Sequence, residues 1–423
     1  MDDRRTGLID HRRGYLGLLF YPFYAIAARV LIRAKVRFLD VHIWALEDVG
    51  QLAMDFDTYL KENVLSDRKV FPVLLCLGRK PANEALLAHW SKHIRVIRGR
   101  WINELLRPLM TFPELVDSIP AYSIVHRGAA GNHGVIGQWA DRAPLLHLSA
   151  DENARGEAQL RALGIPEGAW FVCVHSREGG FKPVHDWAHS FRNSSILDYA
   201  EAMREIVARG GWCVRMGDAT MQPLPPMAGV VDYPHSPSKS DWMDVFLCAR
   251  CRFFLGNTSG LFIVAGIFGR PSALANKAPL GATYSIFPAD ISIPKLLMDA
   301  EGRTIPFAEA FADVASEYHL ATEFAERGLK HIDNTPREIA ELAMEMLDRL
   351  DGRVAEEADD ADLQARFRAY VQPHHYCWPA PGRIGRGFLR RHRDLLGESS
   401  QRPEDAAGRS INRGGSPIPV FST

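Results

Sequence analysis

The chain has 423 residues, of which 47% are apolar and 24% are charged, as is typical of a folded protein with two or three domains. Lysine and arginine number 50 against 51 aspartate and glutamate residues, so the overall charge gives no reason to expect a nucleic-acid partner. Cys248 and Cys251 form a C-x-x-C, but no second pair follows at zinc-finger spacing. Buried reduced thiols, and no metal, are therefore the simpler interpretation.

The N-terminal segment, residues 1–35, contains most of an apolar stretch that runs over residues 14–38 and is flanked by basic residues. Pro22 and Arg29 interrupt this stretch, so it offers no uncharged span of about 18 residues that is free of helix breakers. Two interpretations stay open: a helix packed on its own domain, or an interfacial helix beside anionic lipid. We predict a cytoplasmic protein, with peripheral contact to the inner membrane through residues 14–38 as the second interpretation.

Residues 36–155 are predicted to form a first α/β domain. The segment "VRFLDV" is extended, "KVFPVLLCLG" is an apolar run of the kind found in strands covered on both faces, "PANEALLAHW" is helical and "IRVIRG" is again extended. Strands alternating with helices predict a parallel sheet. The glycine-rich "HRGAAGNHGVIG" (His126–Gly137) is predicted to be a loop, either on the acceptor side of a site or a plain connection.

Residues 156–335 are predicted to form a second α/β domain. The strand-like segments "WFVCVHSR", "WCVRMG", "CRFFLG" and "PSALAN" alternate with helical ones such as "SSILDYAEAMREIVARGG" and "SDWMDVFLCAR". This order predicts a doubly wound parallel sheet. A helical extension is expected over residues 336–398, and a flexible polar tail over residues 399–423.

Polar residues follow the predicted strands of the second domain, where ligands of open α/β sheets bind. Arginine side chains match phosphate oxygens, and the "GNTSG" turn before a helix offers backbone amides and hydroxyl groups. A capped helix without a ligand, and a simple turn at Asp232 and Tyr233, are the alternatives. The predicted residues that bind the donor or its phosphates are His175, Arg177, Arg192, Asn193, Arg215, Gly217, Asp232, Tyr233, Asn257, Thr258, Ser259, Gly260 and Lys295; Asp232 and Tyr233 are expected at the base or ribose of the donor.

Taken in order, "FVCVHSREGGF", "VRMGD", "GNTSGLFIVAGIFGRP" and "ADISIPKLL" resemble a family of bacterial glycosyltransferases that is distantly similar to heptosyltransferases and fucosyltransferases. The resemblance implies an α/β fold with two Rossmann-like domains facing a cleft, the GT-B architecture. It implies a nucleotide-sugar donor on the second domain and a glycan, lipid-linked or protein acceptor on the first, in cell-surface polysaccharide or glycoconjugate synthesis. It also implies that Arg177, after His175, binds the donor diphosphate and that Ser259 and Gly260 meet its phosphates.

The sequence offers no convincing D-x-D motif of the kind typical of metal-dependent transferases, so transfer without a metal or other cofactor is expected. The base that deprotonates the acceptor hydroxyl is left open among Glu178, Asp186 and His185 in the second domain and His133 in the first. One rival is a non-catalytic nucleotide- or glycan-binding module of a surface-assembly complex. Another is a dinucleotide-dependent oxidoreductase, which the missing G-x-G-x-x-G disfavours.

Overall fold

The computed structural model describes residues 20–42, 45–119, 127–179, 187–312, 316, 318–354, 357–373, 375 and 377–397. Within these residues the strands form two parallel sheets and one small antiparallel pair. The predicted α/β class with two Rossmann-like units is confirmed. Both sheets are parallel because helices carry the chain back across a sheet face between successive strands.

The first sheet has the order β3-β2-β1-β4, and all its pairs are parallel. Its strands are β1 (Val36–Val41), β2 (Phe71–Leu75), β3 (Arg95–Ile97) and β4 (Val116–Ile119). Strand β2 is buried at every position after Phe71, which explains its nearly continuous apolar sequence.

The second sheet has the order β13-β10-β9-β8-β5-β6-β7. From β5 the chain first builds outward through β6 and β7, then returns to β8 on the other side of β5. Its strands are β5 (Phe171–His175), β6 (Trp212–Arg215), β7 (Val230–Asp232), β8 (Phe254–Gly256), β9 (Ser272–Lys277), β10 (Ile291–Pro294) and β13 (Arg383–Ile384), and the antiparallel pair is β11 (Leu296–Met298) with β12 (Lys330–Ile332). Strand β13 brings the C-terminal extension into this sheet.

The helices alternate with these strands along the chain. They are α1 (Tyr21–Arg33), α2 (Val49–Leu65), α3 (Glu84–Trp90), α4 (Arg100–Leu106), α5 (Arg127–Trp139), α6 (Ala150–Ala162), α7 (Ala200–Ala208), α8 (Asp241–Arg250), α9 (Leu261–Ile267), α10 (Phe307–Ala312), α11 (Ala321–Glu326), α12 (Pro336–Leu350), α13 (Ala358–Tyr370) and α14 (Arg386–Arg391). Several begin at side-chain caps: Asn83, Ser149, Ser240 and Thr335 each accept a backbone N–H of the first turn.

The prediction of a loop for the glycine-rich segment is wrong, because its described residues form helix α5. Glycine costs about 1 kcal/mol per residue in a helix relative to alanine, but packing of the helix compensates. Helix α5 lies against α2, and it buries Ile136 and Trp139. The indole N–H of Trp139 also donates to the carbonyl of Ala143 over 3.1 Å.

One hydrophobic core is shared by the two parallel units. It joins α2 and α3 of the first unit to α8 and α9 of the second. Leu52 and Phe56 of α2 and Ile263 of α9 are among its buried members. A polar contact also joins the two units: the backbone N–H of Glu84 donates to the Asp241 carboxylate over 3.0 Å. A second core, on the other face of the seven-stranded sheet, takes in α12, α13 and α14.

All six cysteines are free thiols with buried side chains. In the part of the chain that the structure describes, no group of three His, Cys, Asp or Glu side chains is placed to hold a metal ion. Within the same residues, none of the helices combines the length and the apolar character that crossing a bilayer requires.

Candidate functional site

The candidate site lies where strands β5 and β8 end side by side. His175 pairs in register with Gly256, and the chain leaves these two ends toward opposite edges of the sheet. Such a reversal of strand order opens a crevice beyond the carboxyl ends of the strands, where α/β proteins bind ligands. The "HSR" and "GNTSG" segments therefore meet in space, as the sequence predicted.

A hydrogen-bond network joins the two segments. The backbone N–H of Arg177 donates to Asn257 Oδ1 over 2.9 Å, and Asn257 Nδ2 donates to the Arg192 carbonyl over 3.1 Å. The Arg192 guanidinium donates to the Thr258 carbonyl over 2.9 Å. The Arg177 guanidinium donates to the His189 carbonyl over 2.9 Å and to Asn193 Oδ1. The loop after β5 is thus fixed against the turn after β8.

Two hydroxyl groups of this turn are buried without a hydrogen bond. Thr258 Oγ1 and Ser259 Oγ have no hydrogen-bond partner among the described residues, and their residues are only 4% and 7% exposed. A buried polar atom left unpaired costs about 1–3 kcal/mol. Two such atoms on adjacent residues, at the point where the fold predicts a crevice, mark this turn as a candidate ligand site.

A buried ammonium group lies next to this turn. Lys277 ends β9, the neighbour of β8, and its Nζ lies 5.4 Å from the ring centroid of Phe262 in the first turn of α9. Among the described residues this Nζ makes no ion pair. Burial lowers the pKa of Lys277 to about 8; Arg192 acts in the same direction, whereas Cys377 and Asp290 raise it. A bound anion would favour the charged form of this buried lysine.

Arg215 already has partners within the protein. It is fully buried on β6, donates to Asp232 Oδ1 over 2.9 Å and to the Gln222 carbonyl over 3.0 Å, and lies 3.6 Å from Glu178 Oε2. Its guanidinium therefore neutralises two carboxylates within the protein. Its Nε has no hydrogen-bond partner among the described residues, and its role as a phosphate ligand stays a prediction.

Other predicted donor residues make contacts within the protein, and their roles as ligands stay predictions. Tyr233 is buried and donates from its hydroxyl to Asp244 Oδ1 over 2.8 Å. Lys295 donates to the Asn193 carbonyl over 2.6 Å and pairs with Asp333 over 2.7 Å. His175 shares a hydrogen bond with the Met216 carbonyl over 3.1 Å, and burial lowers its pKa to about 4, so the ring is neutral near pH 7. These hydrogen bonds and this ion pair hold the loops around the candidate site in place.

Gly217 holds the loop after β6 in a conformation that favours glycine. Its φ is 144°, and a Cβ added there would lie 2.2 Å from the sulfur of Met221. The position requires glycine whether or not a ligand binds.

The turn after β8 also meets the first unit. A Cβ added to Gly260 would lie 2.7 Å from the Gly50 backbone nitrogen, so the start of α9 is packed against the start of α2. The predicted open helix tip at Gly260 is therefore covered by the neighbouring helix. This leaves Thr258, Ser259 and the end of β9, rather than the tip of α9, as the part of the site that can face an anion.

The four candidate bases have different positions. Glu178 accepts the backbone N–H of Gln222 over 3.2 Å besides facing Arg215. His133 is buried in α5, against α2. Asp186 and the neighbouring His185 lie outside the described residues.

Two residues near the candidate site were not among the predicted site residues. Lys277 directly follows the apolar run "SALAN", and a lysine at the end of a buried strand was the available signal. Asp48 precedes α2 as its N-cap residue, yet its side chain does not cap the helix. It lies two residues before Gly50, at the junction with Gly260. An acidic residue directly after the first predicted strand and turn would have suggested it.

Comparison with known proteins finds bacterial glycosyltransferases among solved structures. The chain is similar to ADP-heptose LPS heptosyltransferase II of E. coli, with 14% identity over 75% of this chain and 100% of that chain and a TM-score of 0.43. It is similar to the iron-containing dodecameric glycosyltransferase TibC of enterotoxigenic E. coli, with 12% identity over 76% and 78% of the two chains and a TM-score of 0.39. A glycosyl transferase family 9 structure from Veillonella parvula gives 12% identity, coverage of 56% and 79%, and a TM-score of 0.36.

No protein-family model and no curated protein sequence matches the chain. The residues of the site, rather than these likenesses, carry the functional conclusion.

Proposed function

We propose that the chain is a glycosyltransferase that binds the diphosphate of a nucleotide-sugar donor between Lys277, Arg192 and the hydroxyls of Thr258 and Ser259. One observation carries this proposal. Two buried hydroxyls that have no hydrogen-bond partner in the described part of the chain lie near a buried ammonium group, at the ends of β8 and β9. Hydroxyl groups donate to phosphate oxygens, and Lys and Arg supply the charge.

The chemistry would be one substitution at the anomeric carbon of the donor sugar. The acceptor oxygen forms a bond to that carbon while the bond to the diphosphate breaks, and the diphosphate leaves with the bonding electrons. Positive groups fixed in a buried site stabilise the charge that develops on the leaving group. This assignment needs no metal, and the nucleotide sugar is a co-substrate rather than a resident cofactor.

The acceptor would enter from the first unit, because Gly260 meets Gly50 beside the turn that carries Thr258 and Ser259. The base would be a carboxylate or imidazole on this side of the crevice. Asp48 joins Glu178, Asp186 and His133 as a candidate, on the basis of its position next to Gly50. A glycan, lipid-linked or protein acceptor in cell-surface polysaccharide or glycoconjugate synthesis fits this class of reaction.

The binding of ADP, GDP and UDP by isothermal titration calorimetry tests the site. Losing a hydrogen bond to a charged group costs about 1.5–3 kcal/mol, which weakens binding about 10- to 150-fold. We expect Lys277→Met to lose this much for the nucleotide that binds most tightly, and Ser259→Ala to lose less, since its hydroxyl is neutral.

Ser272→Ala is the matched control for Ser259→Ala. Its hydroxyl is also buried and lacks a hydrogen-bond partner in the described part of the chain, but it lies at the opposite end of β9. Equal affinity in Ser259→Ala, Lys277→Met and the control would exclude the proposed site. Binding without release of nucleoside diphosphate from any nucleotide sugar in the presence of acceptor extracts would favour the non-catalytic module.

A further inference from the structure

An apolar surface patch remains uncovered on the first unit, far along the chain from the donor site. It is formed by helices α1 and α4, which are joined where the Tyr24 hydroxyl donates to the Leu105 carbonyl over 3.0 Å. We define the apolar patch as Tyr21, Phe23, Ile26, Val30, Trp101 and Leu105, each more than half exposed. Phe23 is 70% and Trp101 is 87% exposed. Aromatic side chains with this exposure are expected to contact a partner.

Helix α1 is apolar on two sides, and one of them already has a partner. Ala28 is buried in a small core with Phe38 and Leu115, so this side attaches the helix to the first sheet. Phe23, Ile26 and Val30 follow one another at spacings of three and four residues, which places them along one outer stripe of the helix. The inner packing does not explain this outer stripe.

Basic residues surround the apolar patch. Arg29, Arg33, Lys35 and Arg100 are exposed, and none of them forms an ion pair within the described residues. Residues 20–39 contain no Asp or Glu. In α4 the single acidic residue, Glu104, already lies 4.0 Å from Arg107. The surface therefore combines exposed aromatic and aliphatic side chains with basic side chains that form no ion pair in the described part of the chain.

We propose that the apolar patch is a docking surface for a bilayer that contains anionic lipid. Helices with an apolar stripe and basic flanks lie in the plane of a membrane interface, with the apolar side chains at the level of the headgroups and the upper acyl chains. Trp and Tyr favour this level, and Lys and Arg next to it attract anionic headgroups. A protein partner would also cover apolar side chains, but the basic residues around the apolar patch favour the lipid surface.

Co-sedimentation of the purified full chain with vesicles tests the proposal. We expect binding to vesicles that contain phosphatidylglycerol, weaker binding to vesicles of phosphatidylcholine alone, and a loss of the difference in high salt. The double variant Arg29→Gln/Arg33→Gln should weaken partitioning about 30-fold, since each basic residue near the surface contributes about 1 kcal/mol. Phe23→Ser/Trp101→Ser should weaken it at least about tenfold on both vesicle types.

Trp378→Ser and Arg204→Gln are the matched controls, because both side chains are exposed but lie on the second unit. They should bind vesicles like the unchanged protein, and circular dichroism should show every variant folded. Three results would overturn the proposal: absence of binding to phosphatidylglycerol vesicles, an equal loss in the controls, or a dimer that Phe23→Ser/Trp101→Ser converts to a monomer. The last result would assign the apolar patch to a second copy of the chain.

Discussion

Replacing Lys277 by methionine should stabilise the folded protein while it weakens ligand binding. Burial lowers the pKa of this lysine from 10.5 to about 8, so near pH 7 the folded chain holds a charge that the surroundings disfavour. A shift of this size corresponds to about 3 kcal/mol of stability. Methionine has a similar length and no charge, so Lys277→Met should raise the free energy of unfolding near neutral pH by up to this amount.

The stability difference between Lys277→Met and the unchanged protein should change with pH in a direction that the pKa shift sets. The unfolded chain binds more protons than the folded chain between pH 8 and 10.5, so the stability of the unchanged protein rises across this window. The stability advantage of Lys277→Met should therefore shrink by about 2 kcal/mol between pH 7 and pH 9.5. Urea unfolding followed by circular dichroism at both pH values measures it.

Lys61→Met is the control for removing a buried lysine. Lys61 Nζ lies 2.6 Å from Asp57 Oδ2, and both side chains are buried, so removing the lysine leaves a buried acid without its partner. This control should lose about 3 kcal/mol of stability. Lys277→Met could instead be no more stable than the unchanged protein at pH 7, with a stability difference that does not change with pH. Lys277 would then not carry the disfavoured positive charge that the proposed donor site uses.

Three further predictions follow from the same contacts. Arg215→Met should lower the free energy of unfolding by about 3 kcal/mol, because it leaves Glu178 and Asp232 without their cation; unchanged urea unfolding would contradict this. Gly260→Ala should cost about 1–3 kcal/mol of stability through the clash with Gly50, whereas Gly134→Ala, where a Cβ meets no atom within 4 Å, should be neutral or stabilising. The affinity for nucleoside diphosphates, measured by titration calorimetry, should fall as the pH rises above about 8; a similar fall in Lys277→Met would assign it to another group.

The strand pattern predicted the fold well, because parallel strands that are buried on both faces read as short apolar runs between helices. Helix α5 was missed because glycine spacing suggests a loop, and only tertiary packing of Ile136 and Trp139 reverses that preference. The meeting of "HSR" and "GNTSG" was predictable from the rule that strand ends share one edge of a sheet.

The partners of the charged side chains were not predictable. The sequence places Arg177 and Arg215 at equivalent strand ends, but only the structure shows that Arg215 faces two carboxylates. Lys277 was missed for the related reason that a lysine at a strand end is usually exposed, whereas here Phe262 of the preceding helix α9 lies against its ammonium group. Local patterns therefore located the site, while its charge balance depends on contacts between distant segments.

The hydrophobic core shared by α2 and α9 constrains how substrates enter. Swinging the two units widely apart would expose Leu52, Phe56 and Ile263 to water and would separate Gly50 from Gly260, at a cost of several kcal/mol. Access to the crevice is therefore expected through rearrangement of the loops at its rim rather than through a hinge between rigid halves. For the same reason, heating should melt both halves of the molecule in one calorimetric peak.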